Sequence, residues 1–140
     1  SELRTLLNKN PKHPMALVHL GTCMIAMGKS EQAERPLNKA IEIDPSLSEA
    51  WYQRGLLYLE FGRAEEAIFD FQGASREDPH HIDAKLRIAA ILHERGDADK
   101  AVAAWRQVLD IDPQHALARR RLAECREQIT VKDKTISPKD

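Results

Sequence analysis

The amino-acid sequence predicts an all-α fold, a solenoid of antiparallel helix pairs. Laid against itself at a shift of 34 residues, the chain brings Pro11, Pro45, Pro79 and Pro113 into one column. The same shift aligns Gly28, Gly62 and Gly96, and also Ala33, Ala67 and Ala101. Between these marks the apolar residues recur at helical spacing. A repeat of this length points to stacked helical units.

Residues 1–13 read as the end of a preceding partial repeat, because Leu3 falls in the column of Leu37, Phe71 and Trp105. Such a short helix is marginal without a partner, so the chain is expected either to be cut from a longer array or to start with a short cap. Residues 14–47 form the first full unit. Its first helix is expected over Met15 to Met27, with a turn at Gly28, where glycine tolerates the left-handed conformation. Ser30 is expected to N-cap the second helix, which ends near Ile43 before Asp44-Pro45. Pro36 falls inside that helix and removes one backbone hydrogen bond. Residues 48–81 and 82–115 repeat the plan, with helices over Glu49 to Phe61, Ala64 to Glu77, Asp83 to Arg95 and Ala98 to Ile111. Residues 116–129 continue the first-helix pattern once more. Arg119 and Arg126 now occupy the columns of Trp51 and Tyr58, which marks a capping helix with a polar outer face. Residues 130–140 have no periodicity and are expected to be a flexible tail.

The bulk properties narrow the function. With 21 basic and 22 acidic residues and a net charge of −1, no nucleic-acid footprint is present. Arg119, Arg120 and Arg121 read as a solvated helix face. No apolar run is long enough to insert in a membrane, no secretory signal is visible, and a cytoplasmic location is the expectation. Cys23 and Cys125 share one repeat column three units apart, too far for the ~4.4 to 6.8 Å of a disulfide. With Leu57 and Ile91 as column-mates, both are read as small buried hydrophobes.

Trp51, Gly55, Tyr58, Ala67, Phe71, Ala74 and Pro79 stand at the spacing of the tetratricopeptide repeat. Leu17, Leu20, Gly21, Met24, Ala33, Leu37, Ala40 and Pro45 match it more loosely, as do Ile88, Ala89, Leu92, Ala101, Trp105, Val108 and Pro113. The chain therefore resembles that family over residues 14–115, as three full units with a half-unit before and a capping helix after. The resemblance implies a right-handed superhelix whose first helices line a concave groove. The small residues Gly21, Gly55 and Ala89 fit this, since they let paired helices approach closely, and so do Ala33, Ala67 and Ala101.

No catalytic site, metal site or cofactor is expected. His13, His81 and His115 fall in the loop column, a repeat apart, and cannot converge on one ion; they are read as solvent-exposed loop residues, as is His80. Asp44, Asp78 and Asp112 precede the unit-ending prolines and are assigned helix-ending turns. Gly occurs singly, with no phosphate-binding loop.

The first helices carry a second apolar stripe beside their core stripe. In the first unit the core stripe is Ala16, Leu20, Cys23, Met24 and Met27, and the second is Met15, Val18, Thr22 and Ile25. Downstream the equivalent residues are Glu49, Tyr52, Leu56 and Leu59, then Asp83, Leu86, Ala90 and His93. An apolar strip left in water marks a binding surface. The expected site is thus Met15, Val18, Thr22, Ile25, Tyr52, Leu56, Leu59 and Leu86, with Arg87 and His93 as polar contributors; the alternative is that upstream repeats or curvature of the superhelix already cover Met15, Val18 and Ile25. The expected partner is a protein or peptide with an apolar segment, bound in the groove by a non-catalytic scaffold.

Members of the family that hold acidic heat-shock-chaperone tails use a Lys, Asn, Asn, Lys and Arg clamp. Its places here hold Val18, Thr22, Gln53 or Leu56, Asp83 and Arg87, so chaperone tails are not expected to bind. The Asn ladder of the glycosyltransferase-associated arrays is replaced by His19, Gln53 and Arg87. Two alternatives remain: an accessory module of a larger enzyme such as a transferase, or self-association through an N-terminal edge bearing Leu3, Leu6 and Leu7.

Overall fold

The structure, a computed structural model, describes residues 13–136. Seven helices occupy them: α1 (Pro14–Ala26), α2 (Ser30–Ile43), α3 (Ser48–Glu60), α4 (Ala64–Glu77), α5 (Ile82–Glu94), α6 (Ala98–Ile111) and α7 (Ala116–Ile136). Among the described residues there is no strand, and the fold is an all-α helical repeat. The chain divides into two compact bodies, one ending at Pro79 and one starting at His80. In the N-terminal body α1 packs on α2, α2 on α3 and α3 on α4, and the two first helices, α1 and α3, also touch. In the C-terminal body α6 packs on both α5 and α7.

Two kinds of small residue set this packing. Gly28, Gly62 and Gly96 turn each pair with φ of 78°, 74° and 77°, a region that costs an L side chain ~1–2 kcal/mol. Gly55 serves close approach instead: a Cβ there would lie 2.6 Å from Phe71 Cε1. Leu37, Phe71 and Trp105, one column of large residues, are all buried. The aspartates before proline end helices as expected. The Asp44 and Asp112 carboxylates accept the amides of Ser46 and Gln114 at 3.1 and 3.2 Å.

Four expectations change. Ser30 is not an N-cap: it is the first residue of α2, and its hydroxyl donates to Glu60 Oε1 at 2.9 Å. The loop histidines are caps rather than idle surface. Nδ1 of His13, His81 and His115 accepts the amides of Ala16, Ala84 and Ala118 at 3.1, 3.1 and 3.2 Å, satisfying an orphan donor at the start of α1, α5 and α7.

The third change concerns the core stripe of α1. Its buried residues are Ala16, Leu17, Val18 and Gly21, whereas Cys23 is exposed and Met27 is 66% exposed. Met27 lies past the helix end as its C-cap, so it leaves the helical face. Cys125 is buried beneath His93 and Trp105 of the preceding pair, while no described element precedes α1 to cover Cys23.

Finally, helix α7 runs to Ile136, through residues 130–136 of the stretch expected to be a tail, and residues 137–140 of that stretch lie outside the described residues. Once a helix is nucleated each added residue gains a bond, and no breaker follows until Pro138. The expected N-terminal partial repeat, with Leu3, Leu6 and Leu7, lies outside the described residues.

Candidate functional site

The apolar strip on the first helices survives best in the N-terminal body. Along α3 the buried residues are Ala50, Trp51, Gly55, Leu57 and Tyr58. Tyr52, Leu56 and Leu59 lie on another face and stay half-buried. The Tyr52 ring rests on Phe71 with centroids 5.6 Å apart, which fixes its direction. On the adjoining α1, Met15 and Ile25 are half-buried and Thr22 is exposed, its hydroxyl donating to the Val18 carbonyl at 2.9 Å.

Val18 departs from the expected site. At 1% exposure it is a packing residue and offers a partner no surface. Its column is that of Tyr52 and Leu86, which stay half-buried, so the same repeat position is covered on α1 and only partly covered on α3 and α5.

In the C-terminal body the expected residues separate. Leu86 packs against the core around Trp105, and Arg87 is exposed. His93 is tied into the packing of α7. Its Nδ1 lies 3.2 Å from Cys125 Sγ, its Nε2 lies 3.7 Å from Glu124 Oε2, and its ring meets Trp105 edge-on at 6.2 Å. A thiol, an imidazole and a carboxylate in series have the order of a nucleophilic triad. Their chemistry differs. Cys125 is fully buried, and burial, aided by the Glu124 carboxylate, pushes its thiol above the ordinary range. Reactive cysteines are exposed and shifted the other way. The row is a packing motif.

A second polar constellation escaped the sequence reading. Arg54 Nε and Nη2 donate to Asp70 Oδ2 and Oδ1 at 2.8 and 2.7 Å, and Nη1 donates to Asn38 Oδ1 at 3.0 Å. Asp70 has 0% exposure. Burial pushes its carboxyl up and the guanidinium opposes that shift. Nearby, the Tyr58 hydroxyl donates to Glu34 Oε2 at 2.7 Å. A signal was present in the repeat columns. Arg54 stands with Leu20, Ile88 and Leu122, and Asp70 with Pro36 and Ala104, so opposite charges interrupt two apolar columns in the same unit.

Among the described residues no three His, Cys, Asp or Glu side chains are placed to hold a metal, and no helix is long and apolar enough to cross a membrane. A crevice of about 300 Å³ between the start of α6 and the end of α7 mixes Asp97, Asp99 and Asp133 with Lys100 and Lys132 and has no single sign of charge.

Comparison with known proteins gives one consistent result. Four family models described as tetratricopeptide repeat match residues 15–46, 37–69, 58–104 and 86–129. No curated protein sequence matches. Among solved structures, MamA is similar with a TM-score of 0.80 at 22% identity, covering 96% of this chain and 78% of that one. The first tetratricopeptide domain of Spaghetti (RPAP3), bound to the HSP90 peptide SRMEEVD, gives 0.71 at 19% identity and covers 84% of this chain and 95% of that one. The Arabidopsis OM64 tetratricopeptide domain gives 0.70 at 20% identity, covering 81% and 94%.

Proposed function

The chain belongs to the tetratricopeptide-repeat family, and from that premise we propose that it is a non-catalytic scaffold that binds a partner segment across the first helices of its N-terminal body. One observation carries the reading: Tyr52, Leu56 and Leu59 are kept half-exposed on α3, beside Met15 and Ile25 on the touching α1. Apolar side chains held at the surface by a rigid helix pair suit a partner's apolar segment. A chaperone tail is not the partner in this reading. An acidic peptide needs cations, and the clamp places in this body hold Val18, Thr22 and Gln53 or Leu56. Arg87, the one clamp residue present, belongs to the C-terminal body.

The test is capture from a lysate by the wild type and by Leu56→Glu/Leu59→Glu, with circular dichroism to confirm that the variant stays helical. A partner held by the wild type and lost by the folded variant is the expected outcome. Partners held equally by both would place the working surface elsewhere.

A further inference from the structure

The face of α3 that carries Tyr52, Leu56 and Leu59 begins at Glu49 and ends at Glu60. Steps of three, four and three residues lead from Glu49 to Leu59, and Glu60 adjoins it. The two carboxylates therefore lie on one side of the helix, three turns and about 16 Å apart at 1.5 Å per residue. Glu49 Oε1 accepts from Gln53 Nε2 at 2.8 Å and Glu60 Oε1 from the Ser30 hydroxyl at 2.9 Å. Both donors are neutral and each leaves the second oxygen open. Among the described residues neither carboxylate is in an ion pair.

The touching helix α1 and α3 itself bring no free cation to these charges. Helix α1, PMALVHLGTCMIA, has no Asp, Glu, Lys or Arg, and His19 is its one imidazole. The single cation of α3, Arg54, is held by Asp70 and Asn38 on the inner side. Lys29 lines one crevice with Glu60 and Glu31 and forms no ion pair with Glu60, and Arg63 pairs with Glu66. The α3 strip is thus apolar between Glu49 and Glu60, and its Glu60 end keeps an excess of one negative charge with Lys29 and Glu31 counted.

Resting on the groove reading above, we propose that the partner segment is apolar in its middle and carries Lys or Arg on both sides. The flanking cations would stand about 16 Å apart, about five residues of extended chain or three turns of helix. Like charges in a partner would face Glu49 and Glu60 unpaired, so an acidic segment is rejected at both ends.

A random library of peptides about 12 residues long spans this distance in either conformation. It is panned against the wild type, Glu49→Gln/Glu60→Gln and Leu56→Glu/Leu59→Glu. The wild type should enrich apolar cores flanked by Lys or Arg. The Gln variant should keep the cores and lose the flank bias. It should also bind wild-type-selected peptides about threefold more weakly at low salt, a gap that closes as salt rises. Cores without basic flanks from the wild type, or an unchanged bias in the Gln variant, overturn the charge proposal and leave the groove standing. No enrichment above background, or equal binding by Leu56→Glu/Leu59→Glu, overturns the groove reading and this proposal together.

Discussion

The two bodies are built from one repeat and held by different chemistry. In the N-terminal body a bidentate Arg54–Asp70 pair is buried between α3 and α4, and the columns that hold these two residues carry Ile88 and Ala104 in the C-terminal body. Where the first has a glycine against a phenyl ring, Gly55 on Phe71, the second has Ala89 on the helix that packs with Trp105. The repeat thus fixes where a side chain must be small, and leaves open how two helices are locked. A locked α3 also explains why its other face can stay apolar and half-exposed without collapsing inward. Arg54 and Trp51 anchor one side of the helix, with Trp51 Nε1 donating to the Pro45 carbonyl at 2.8 Å, and Tyr52, Leu56 and Leu59 occupy another.

The largest test of this difference removes one member of the pair. Asp70→Ala leaves the Arg54 charge facing a dry carboxylate site, and losses of ~3–5 kcal/mol are usual for such a deletion. Arg54 keeps some contact with water, so the expected loss is at the lower end, about 3 kcal/mol by urea denaturation. Arg54→Ile/Asp70→Ala gives the N-terminal body the residues that the C-terminal body already uses. That double variant should regain stability to within about 1 kcal/mol of wild type, because an apolar pair removes both desolvation costs. If the double variant is as unstable as Asp70→Ala, the ion pair stabilises this body in its own right and is no mere alternative to Ile and Ala.

A smaller effect is expected at the glycine. In Gly55→Ala the new methyl meets the Phe71 ring, which is fully buried. Overpacking of this kind costs ~1–3 kcal/mol, against a gain in helix propensity of about 1. The net loss should be up to about 2 kcal/mol, read as a lowered melting temperature. Ala89→Gly, the reverse change in the other body, should cost about 1 kcal/mol from propensity alone. A Gly55→Ala protein that melts higher than wild type would show that the ring can shift.

Much of this architecture is legible in the sequence. The spans of α4 and α6 and the three glycine turns followed from periodicity and from one residue type at one spacing. The candidate strip was legible as a direction and not as a depth: the column that points Tyr52 outward also contains Val18, and only packing shows that a valine there is covered. The histidine caps were missed because imidazole is outside the usual capping set of Ser, Thr, Asp and Asn, although three histidines immediately before three first helices were a signal. Arg54 and Asp70 were missed for a different reason. Read one helix at a time, a lone Arg or Asp looks like a surface residue; the pairing exists across helices and shows only when the repeat columns are compared. The length of α7 is not legible from polarity, because a polar segment that follows a formed helix can simply continue it.

The smallest expected effect separates the bodies by pH. Both tyrosines lie in the N-terminal body. The Tyr58 hydroxyl is raised from the ordinary 10.0 to about 12, first by burial and then by its hydrogen bond to Glu34. The folded body therefore holds this proton more tightly than the unfolded chain does. Its contribution is fully present below about 10 and is lost as pH rises through about 12, since the unfolded chain releases the proton first. Phenolate absorbance should show one tyrosine titrating near 12 in the folded protein. The alkaline decline in stability should flatten in Tyr58→Phe, which gives up the bond to Glu34 at a cost of about 1 kcal/mol near neutrality. If Tyr58→Phe declines as steeply as wild type between pH 10 and 12, the lost stability belongs to other groups and the Tyr58–Glu34 bond is not what couples this body to pH.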